Sequence, residues 1–201
     1  MTDQRKPALR AAALAARRAM THDERAAASS AIVRRLLKLP ELHGARTVLL
    51  HAALRDEVDL AGVVGPLLAR DVRTLFPRVR GPALELVVAA DLRTLQLGYR
   101  GIMEPVGPAI DPAIVDVAIV PGVAFDPQGG RLGQGGGHYD RLLPRLPRSA
   151  VRIGVCFACQ VVPAVPREPH DAKVDLVVNE RRTHRGTPDP DDSHPDGAER
   201  V

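Results

Sequence analysis

Aromatic residues are nearly missing from this 201-residue chain, which has no tryptophan, two tyrosines and three phenylalanines. Its core must therefore be built from Val, Leu, Ile and Ala. Long apolar runs are missing too. No stretch approaches the roughly 18 to 20 unbroken apolar residues that a membrane helix requires. The charged, helix-forming N-terminus has no apolar signal-peptide core, so a cytoplasmic location is the expectation. Cysteine is scarce, with Cys156 and Cys159 forming one Cys-x-x-Cys inside an apolar run. No second pair exists to complete a tetrahedral metal site, so two buried small hydrophobes are the preferred reading over a redox pair or half a zinc site. Lysine occurs only at Lys6, Lys38 and Lys173, while arginine supplies the remaining positive charge. A lysine kept against such a bias is a candidate for a specific task.

What is present is ordinary for a globular protein: 45% hydrophobic and 26% charged residues exclude wholesale disorder and a fibrous repeat. The net charge of +4 and a pI near 9.6 would suit an anionic partner. The basic residues are spread along the chain, however, so neither nucleic acid nor membrane is required as a partner. A monomer is expected, because no heptad pattern or long edge strand announces itself.

The pattern from Gln4 to Met20 is helical, and Thr21 followed by Glu24 reads as a capping box that opens a second helix ending near Pro40. Thr47 to Leu54 suits a buried strand and Val58 to Arg70 a helix. Val72 to Phe76 and Leu84 to Ala90 read as strands across a Pro-Gly turn, with a short helix capped by Asp91 after them. Val115 to Val120 is a β-branched run stopped by Pro121-Gly122. A helix over His138 to Leu146 and strands at Val151 to Phe157 and Val174 to Val178 follow. This alternation predicts an α/β fold with three layers, α/β/α, around a mainly parallel sheet. Residues 1–180 are expected to form one domain and residues 181–201 a disordered C-terminal tail.

Between the β-branched run and the next helix lie Gly129, Gly130, Gly133, Gly135, Gly136 and Gly137. Glycines there allow positive φ and let backbone N–H groups turn around an anion, at the N-terminus of the following helix. Arg131 adds a forked donor for phosphate oxygens, and Asp140 supplies the hard oxygen that Mg²⁺ prefers. The loop matches neither a P-loop nor a clean dinucleotide-binding fingerprint. Cradle, cation and carboxylate are the parts that ATP-dependent chemistry needs.

The runs Pro121-Gly-Val-Ala-Phe-Asp126 and Arg131-Leu-Gly-x-Gly-x-Gly-x-Tyr-Asp140 resemble the signature of the 5-formyltetrahydrofolate cyclo-ligase family, also called 5,10-methenyltetrahydrofolate synthetase. Lys6-x-x-Leu-Arg10 with Arg17-Arg18, Asp56-Glu57-Val58-Asp59, Gly101-Ile102-x-Glu104-Pro105 and His170-Asp171-x-Lys173-Val174-Asp175 extend the resemblance over nearly the whole chain. The resemblance implies a fold similar to the sugar-phosphate isomerase and CoA-transferase architecture. It also implies ATP- and Mg²⁺-dependent closure of 5-formyltetrahydrofolate to 5,10-methenyltetrahydrofolate, with ADP and phosphate released. In that reaction ATP phosphorylates the formyl oxygen, N10 attacks the activated carbon, and phosphate departs in place of hydroxide.

Carried over residue by residue, the resemblance assigns ATP to Lys6, Arg10, Arg131, Leu132, Gly133, Gln134, Gly135, Gly136, Gly137, His138 and Tyr139. Folate falls to Glu57, Gln134 and His138, and Mg²⁺ to Asp140 and Asp175. Glu57 can accept two parallel N–H bonds from an aminopyrimidinone ring. Gln134, Gly136 and His138 stand where some members carry arginine, lysine and tyrosine, which predicts two missing phosphate charges and one missing aromatic wall. His170 reads equally as a surface residue or a further member of the site. The alternatives are an isomerase or CoA-transferase relative that needs no ATP, and a non-catalytic folate- or nucleotide-binding protein.

Overall fold

The capping box at Thr21 forms as expected: its hydroxyl accepts from the Glu24 N–H at 3.2 Å, and the Glu24 carboxylate accepts from the Thr21 N–H at 2.7 Å. This reciprocal satisfaction of two orphan donors separates α1 (Arg5–Ala19) from α2 (His22–Leu36) in the computed structural model, which describes residues 5–186. A single turn begun by proline, α3 (Pro40–His43), leads to β1 (Thr47–Leu49). Then come α4 (Ala61–Leu68) and the hairpin of β2 (Arg73–Arg80) with β3 (Ala83–Val88). A small excursion pairs β4 (Gln96–Leu97) with β5 (Met103–Glu104). After β6 (Val117–Pro121), a second one pairs β7 (Ala124–Phe125) with β8 (Arg131–Leu132). The chain continues through α5 (His138–Leu142), β9 (Val151–Val155), β10 (Leu176–Val178) and β11 (Thr183–Arg185).

The main sheet has the order β11-β10-β9-β6-β1-β2-β3. Its five inner strands are parallel, and β3 and β11 run antiparallel at the two edges. The alternation of a pleated strand sorts its apolar residues into two cores. Val48, Phe76, Val117, Ile119, Ile153 and Val178 pack under α2, α3 and α4, whereas Leu49, Leu75, Ala118, Val120 and Val177 pack with Leu142 and Leu143 on the opposite face. The expected three-layer architecture is therefore what the chain forms. No helix among the described residues is long and apolar enough to cross a membrane.

Four expectations need correction. The strand expected to run to Leu54 stops at Leu49, and the chain beyond it lines cavities. The helix expected over 138–146 is five residues long and tightens into a single 3₁₀ turn at Leu143–Arg145, because Pro144 cannot continue an α-helix. Order extends past residue 180: the Asn179 side chain accepts from the N–H groups of Arg181 and Arg182 at 2.8 and 2.9 Å, turning the chain so that β11 pairs with β10. The rest of the expected tail, residues 187–201, lies outside the described residues. Of the two cysteines, both free thiols, only Cys156 is buried, and its burial pushes the thiol well above its ordinary pKa.

One carboxylate sets the route from β7 to β8. Asp126 is buried, and its Oδ1 accepts from the N–H groups of Gln128 and Gly130 at 3.0 and 2.8 Å, while Oδ2 accepts from Val165 at 2.8 Å. It shapes the turn and ties it to the 156–175 connection. Because charged hydrogen bonds contribute about 1.5–3 kcal/mol each and their loss leaves buried donors unpaired, Asp126→Ala is expected to destabilise the protein by at least about 3 kcal/mol. Chemical denaturation measures this.

Candidate active site

The turn set by Asp126 returns the chain into β8 and buries Arg131, which is 5% exposed. A guanidinium buried so deeply requires a counter-charge. Asp140, in the first turn of α5, provides it, accepting from Arg131 at 2.5 Å. The same guanidinium carbon lies 5.8 Å from the centroid of the Tyr139 ring. Two donors stay orphaned here, since Arg131 Nε and the Tyr139 hydroxyl are buried without a partner among the described residues. Burial lifts the Tyr139 phenol far above its usual pKa, so the hydroxyl keeps its proton and remains a donor.

Between Arg131 and Asp140 the glycine loop crosses above this pair, with φ of +100° at Gly135 and +65° at Gly137. Side chains with a Cβ rarely adopt such angles. The loop divides two cavities. The first, about 540 Å³, opens toward α1 and is lined by Lys6, Arg10, Leu132, Gly135 and Asp171; the second, about 390 Å³, is lined by Glu57, Val79, Tyr99, Gln134, His138 and Tyr139. Arg131, Gly133, Gly136, Gly137 and Asp140 line both, forming a shared wall.

In the first cavity Arg10 reaches from α1 to donate to the Gly133 carbonyl at 2.9 Å. Lys6 Nζ sits between Glu168 at 2.6 Å and Asp171 at 2.5 Å. Burial pulls the Lys6 pKa down, but the two carboxylates outweigh it and the net shift is upward. For Asp171, burial pushes upward, and the hydrogen bonds from Lys6 and the Glu168 N–H outweigh that to leave the carboxyl below its ordinary range. The Ala172 N–H, next in the chain, lies 3.3 Å from Asp140 Oδ1, joining the two acidic residues on one wall. Ligand atoms of Glu168, His170 and Asp171 lie within 4.8 Å of one another.

In the second cavity Glu57 accepts from Gln134 Nε2 at 3.2 Å and from the Leu54 N–H at 3.1 Å. Arg17, almost fully buried, donates twice to Asp56 and lies 3.7 Å from Glu57, anchoring this acidic pair to α1. His51 is buried beside them, and desolvation lowers its pKa so that it is neutral. Glu104 accepts from the Val79 N–H at 3.0 Å, fastening the β4–β5 excursion over β2. The excursion presents Tyr99, whose ring meets His138 edge-on at 5.9 Å and 67°.

Most of the expected site residues line one or both cavities. Gln134, His138 and Tyr139 line the second cavity and not the first, because the loop turns their side chains to its far side. Asp175 lines neither cavity. It stands just before β10, where its carboxylate accepts from the Arg152 N–H at 2.6 Å and so serves the sheet. Asp171, in the same short motif, is the carboxylate that faces Asp140's cavity. A rule of parallel sheets could have separated them, since ligands gather beyond the carboxyl ends of strands and Asp175 sits at an amino end. No local signal marked His51, Tyr99 or Glu168.

Comparison with known proteins gives the chain a family and relatives that share its fold. A family model described as the 5-formyltetrahydrofolate cyclo-ligase family matches residues 2–180. The 5-formyltetrahydrofolate cyclo-ligase of Mycolicibacterium smegmatis is 30% identical over 190 residues, spanning 90% of this chain and 97% of the relative. The solution structure of Aquifex aeolicus 5,10-methenyltetrahydrofolate synthetase superimposes with a TM-score of 0.80 at 34% identity, covering 97% of this chain and 96% of that one. A synthetase of the same description from Mycoplasma pneumoniae shares the fold, with a TM-score of 0.73 at 24% identity over 88% of this chain and 99% of that one.

The pair of Lys6 with Asp171 gives a titration test. A depressed Asp171 pKa stabilises the fold above the unfolded carboxyl value, and that stability is lost as pH falls through the folded value. Carboxyl-carbon NMR should place the Asp171 midpoint below the ordinary 3.8. In Lys6→Met the midpoint should move upward, because burial then acts without the opposing cation.

Proposed function

The chain belongs to the 5-formyltetrahydrofolate cyclo-ligase family, and from that membership we propose how its two cavities share the work of closing 5-formyltetrahydrofolate to 5,10-methenyltetrahydrofolate with ATP. The first cavity takes ATP, with Lys6, Arg10, Arg131 and the backbone of Gly133 and Gly135–Gly137 around its phosphates. The second takes the folate, with Glu57 accepting from the aminopyrimidinone edge and Tyr99 and His138 beside the ring system. The observation that carries this reading is the shared wall of Arg131, Gly133, Gly136, Gly137 and Asp140. Only where two cavities meet can a γ-phosphoryl group and a formyl oxygen come within bonding distance.

The chemistry then balances as follows. The formyl oxygen takes the γ-phosphoryl group and ADP leaves. N10 attacks the activated formyl carbon and gives up its proton, and the C–O bond breaks to release phosphate. The protein's contribution is positioning and charge stabilisation. Arg131 Nε and the Tyr139 hydroxyl, on or beside the shared wall and both without partners among the described residues, are donors available where negative charge builds up on the transferring oxygens.

Asp140 and Asp171 fit Mg²⁺, because two hard carboxylates joined through the Ala172 N–H face one cavity. Mg²⁺ characteristically binds through one or two carboxylates together with substrate phosphates. Bound there, the ion would neutralise phosphate charge. Asp171 takes the place expected for Asp175. The reading extends to one domain acting as a cytoplasmic monomer on free ligands, without nucleic acid or membrane.

The test is to mix the purified protein with 5-formyltetrahydrofolate, Mg²⁺ and ATP and follow methenyltetrahydrofolate by its absorbance. Folded protein that forms neither product nor ADP would overturn the proposal, and binding without turnover would mark a non-catalytic relative. Losing a charged hydrogen bond costs about 1.5–3 kcal/mol, so Glu57→Gln should raise the KM for folate roughly 10- to 100-fold while leaving the KM for ATP nearly unchanged. Asp140→Ala should abolish Mg²⁺-dependent turnover, and it will also unpair the buried Arg131, so its stability must be measured alongside.

A further inference from the structure

Four strong cations line the first cavity, and their charge is unevenly committed. Lys6 is held by Glu168 and Asp171, and Arg131 by Asp140. Arg10 and Arg141 are different: among the described residues their hydrogen bonds go to backbone carbonyls, and neither has a carboxylate within 4.0 Å. The two unneutralised guanidiniums grip opposite ends of the glycine loop, Arg10 on the Gly133 carbonyl at 2.9 Å and Arg141 on the Gly136 carbonyl at 2.7 Å.

Resting on the ATP reading above, we propose that Arg141 is a phosphate-binding residue, the counterpart of Arg10 on the far side of the loop. Its position depends on the glycines. A Cβ at Gly137 would stand 2.7 Å from Arg141 Nη1, so the guanidinium lies over a residue whose φ of +65° favours glycine and whose missing side chain leaves it that space. Arg141 Nε donates to the Pro82 carbonyl at 2.8 Å and Nη2 to Gly136, whereas Nη1 makes no hydrogen bond among the described residues. Both tethers are neutral, so the guanidinium keeps its full charge and spare donors at the rim of the cavity. Gly136 offers no side chain of its own, and Arg141 brings a cation to that stretch of loop from the next helix.

The tether to Pro82 allows a purely structural role, because Pro82 lies in the turn between β2 and β3, and those strands wall the second cavity. The experiment must therefore separate the two ligands. Calorimetric titration of the full chain with a β,γ-imido ATP analogue and Mg²⁺, and separately with 5-formyltetrahydrofolate, does so. At about 1.5–3 kcal/mol for a charged hydrogen bond, Arg141→Gln should weaken the nucleotide roughly 10- to 100-fold and change folate binding by less than about twofold. Arg141→Lys keeps the charge and should recover much of the loss; it also serves should the Gln variant fold poorly. Gly136→Lys placed in the Arg141→Gln background should restore nucleotide affinity, which a residue acting only through Pro82 would not allow. Unchanged nucleotide affinity in Arg141→Gln, or an equal loss for folate, overturns the proposal while the ATP reading stands. A wild-type protein that binds no nucleotide overturns both.

Discussion

The site depends on the burial of one positive charge. Arg131 is taken out of water between two cavities, and the desolvation of such an ion costs several kcal/mol even after relaxation. Asp140 offsets this with a 2.5 Å hydrogen bond, and the Tyr139 face lies alongside. Neither partner can drift far without stranding the guanidinium. Arg131 thereby fixes where α5 begins, and α5 fixes where the glycine loop must end. The loop's positive-φ residues are consequences of that constraint, because the chain has only a few residues in which to climb over the ion pair and enter the helix.

Around this pair the remaining groups arrive from distant parts of the sequence. Helix α1 sends Lys6 and Arg10 into the first cavity and Arg17 to the acidic pair beneath the second. The segment after β1 leaves the sheet early and supplies His51 and Glu57, and the long connection between β9 and β10 brings Glu168 and Asp171. Asp126 coordinates two of these events, since one carboxylate both forms the turn that positions Arg131 and holds Val165 in the connection leading to Asp171. Breaking that carboxylate's bonds should therefore disturb stability and the acidic wall together, even though Asp126 lines neither cavity.

Legibility in the sequence follows the range of the interaction. The Thr21 capping box, the strand–glycine–helix order and the alternation that predicts a parallel sheet are local, and they appear in the structure as read. The ends of elements were less legible, because β1 and α5 stop where tertiary demands begin: one to line a cavity, the other at Pro144. Side-chain direction was the least legible. Nothing in Gly-x-Gly-x-Gly says that residues 134 and 138 face one cavity while Gly135 faces the other. Asp171 and Asp175 show the same limit: both belong to one six-residue motif, and only the fold reveals that Asp171 lines the first cavity while Asp175 accepts from the Arg152 N–H.

These directions change what the unusual loop residues mean. Gln134 was expected to leave the nucleotide short of a charge, yet it lines the other cavity and donates to Glu57. There its amide is a neutral donor to the carboxylate, which already has the Arg17 guanidinium nearby. His138 likewise lines the second cavity, where its ring meets Tyr99 edge-on. Gly136 alone of the three lines the first cavity. The charge balance of the first cavity then comes down to which cations are already neutralised, and among its arginines Arg131 is committed to Asp140 while, among the described residues, Arg10 and Arg141 bond only to carbonyls.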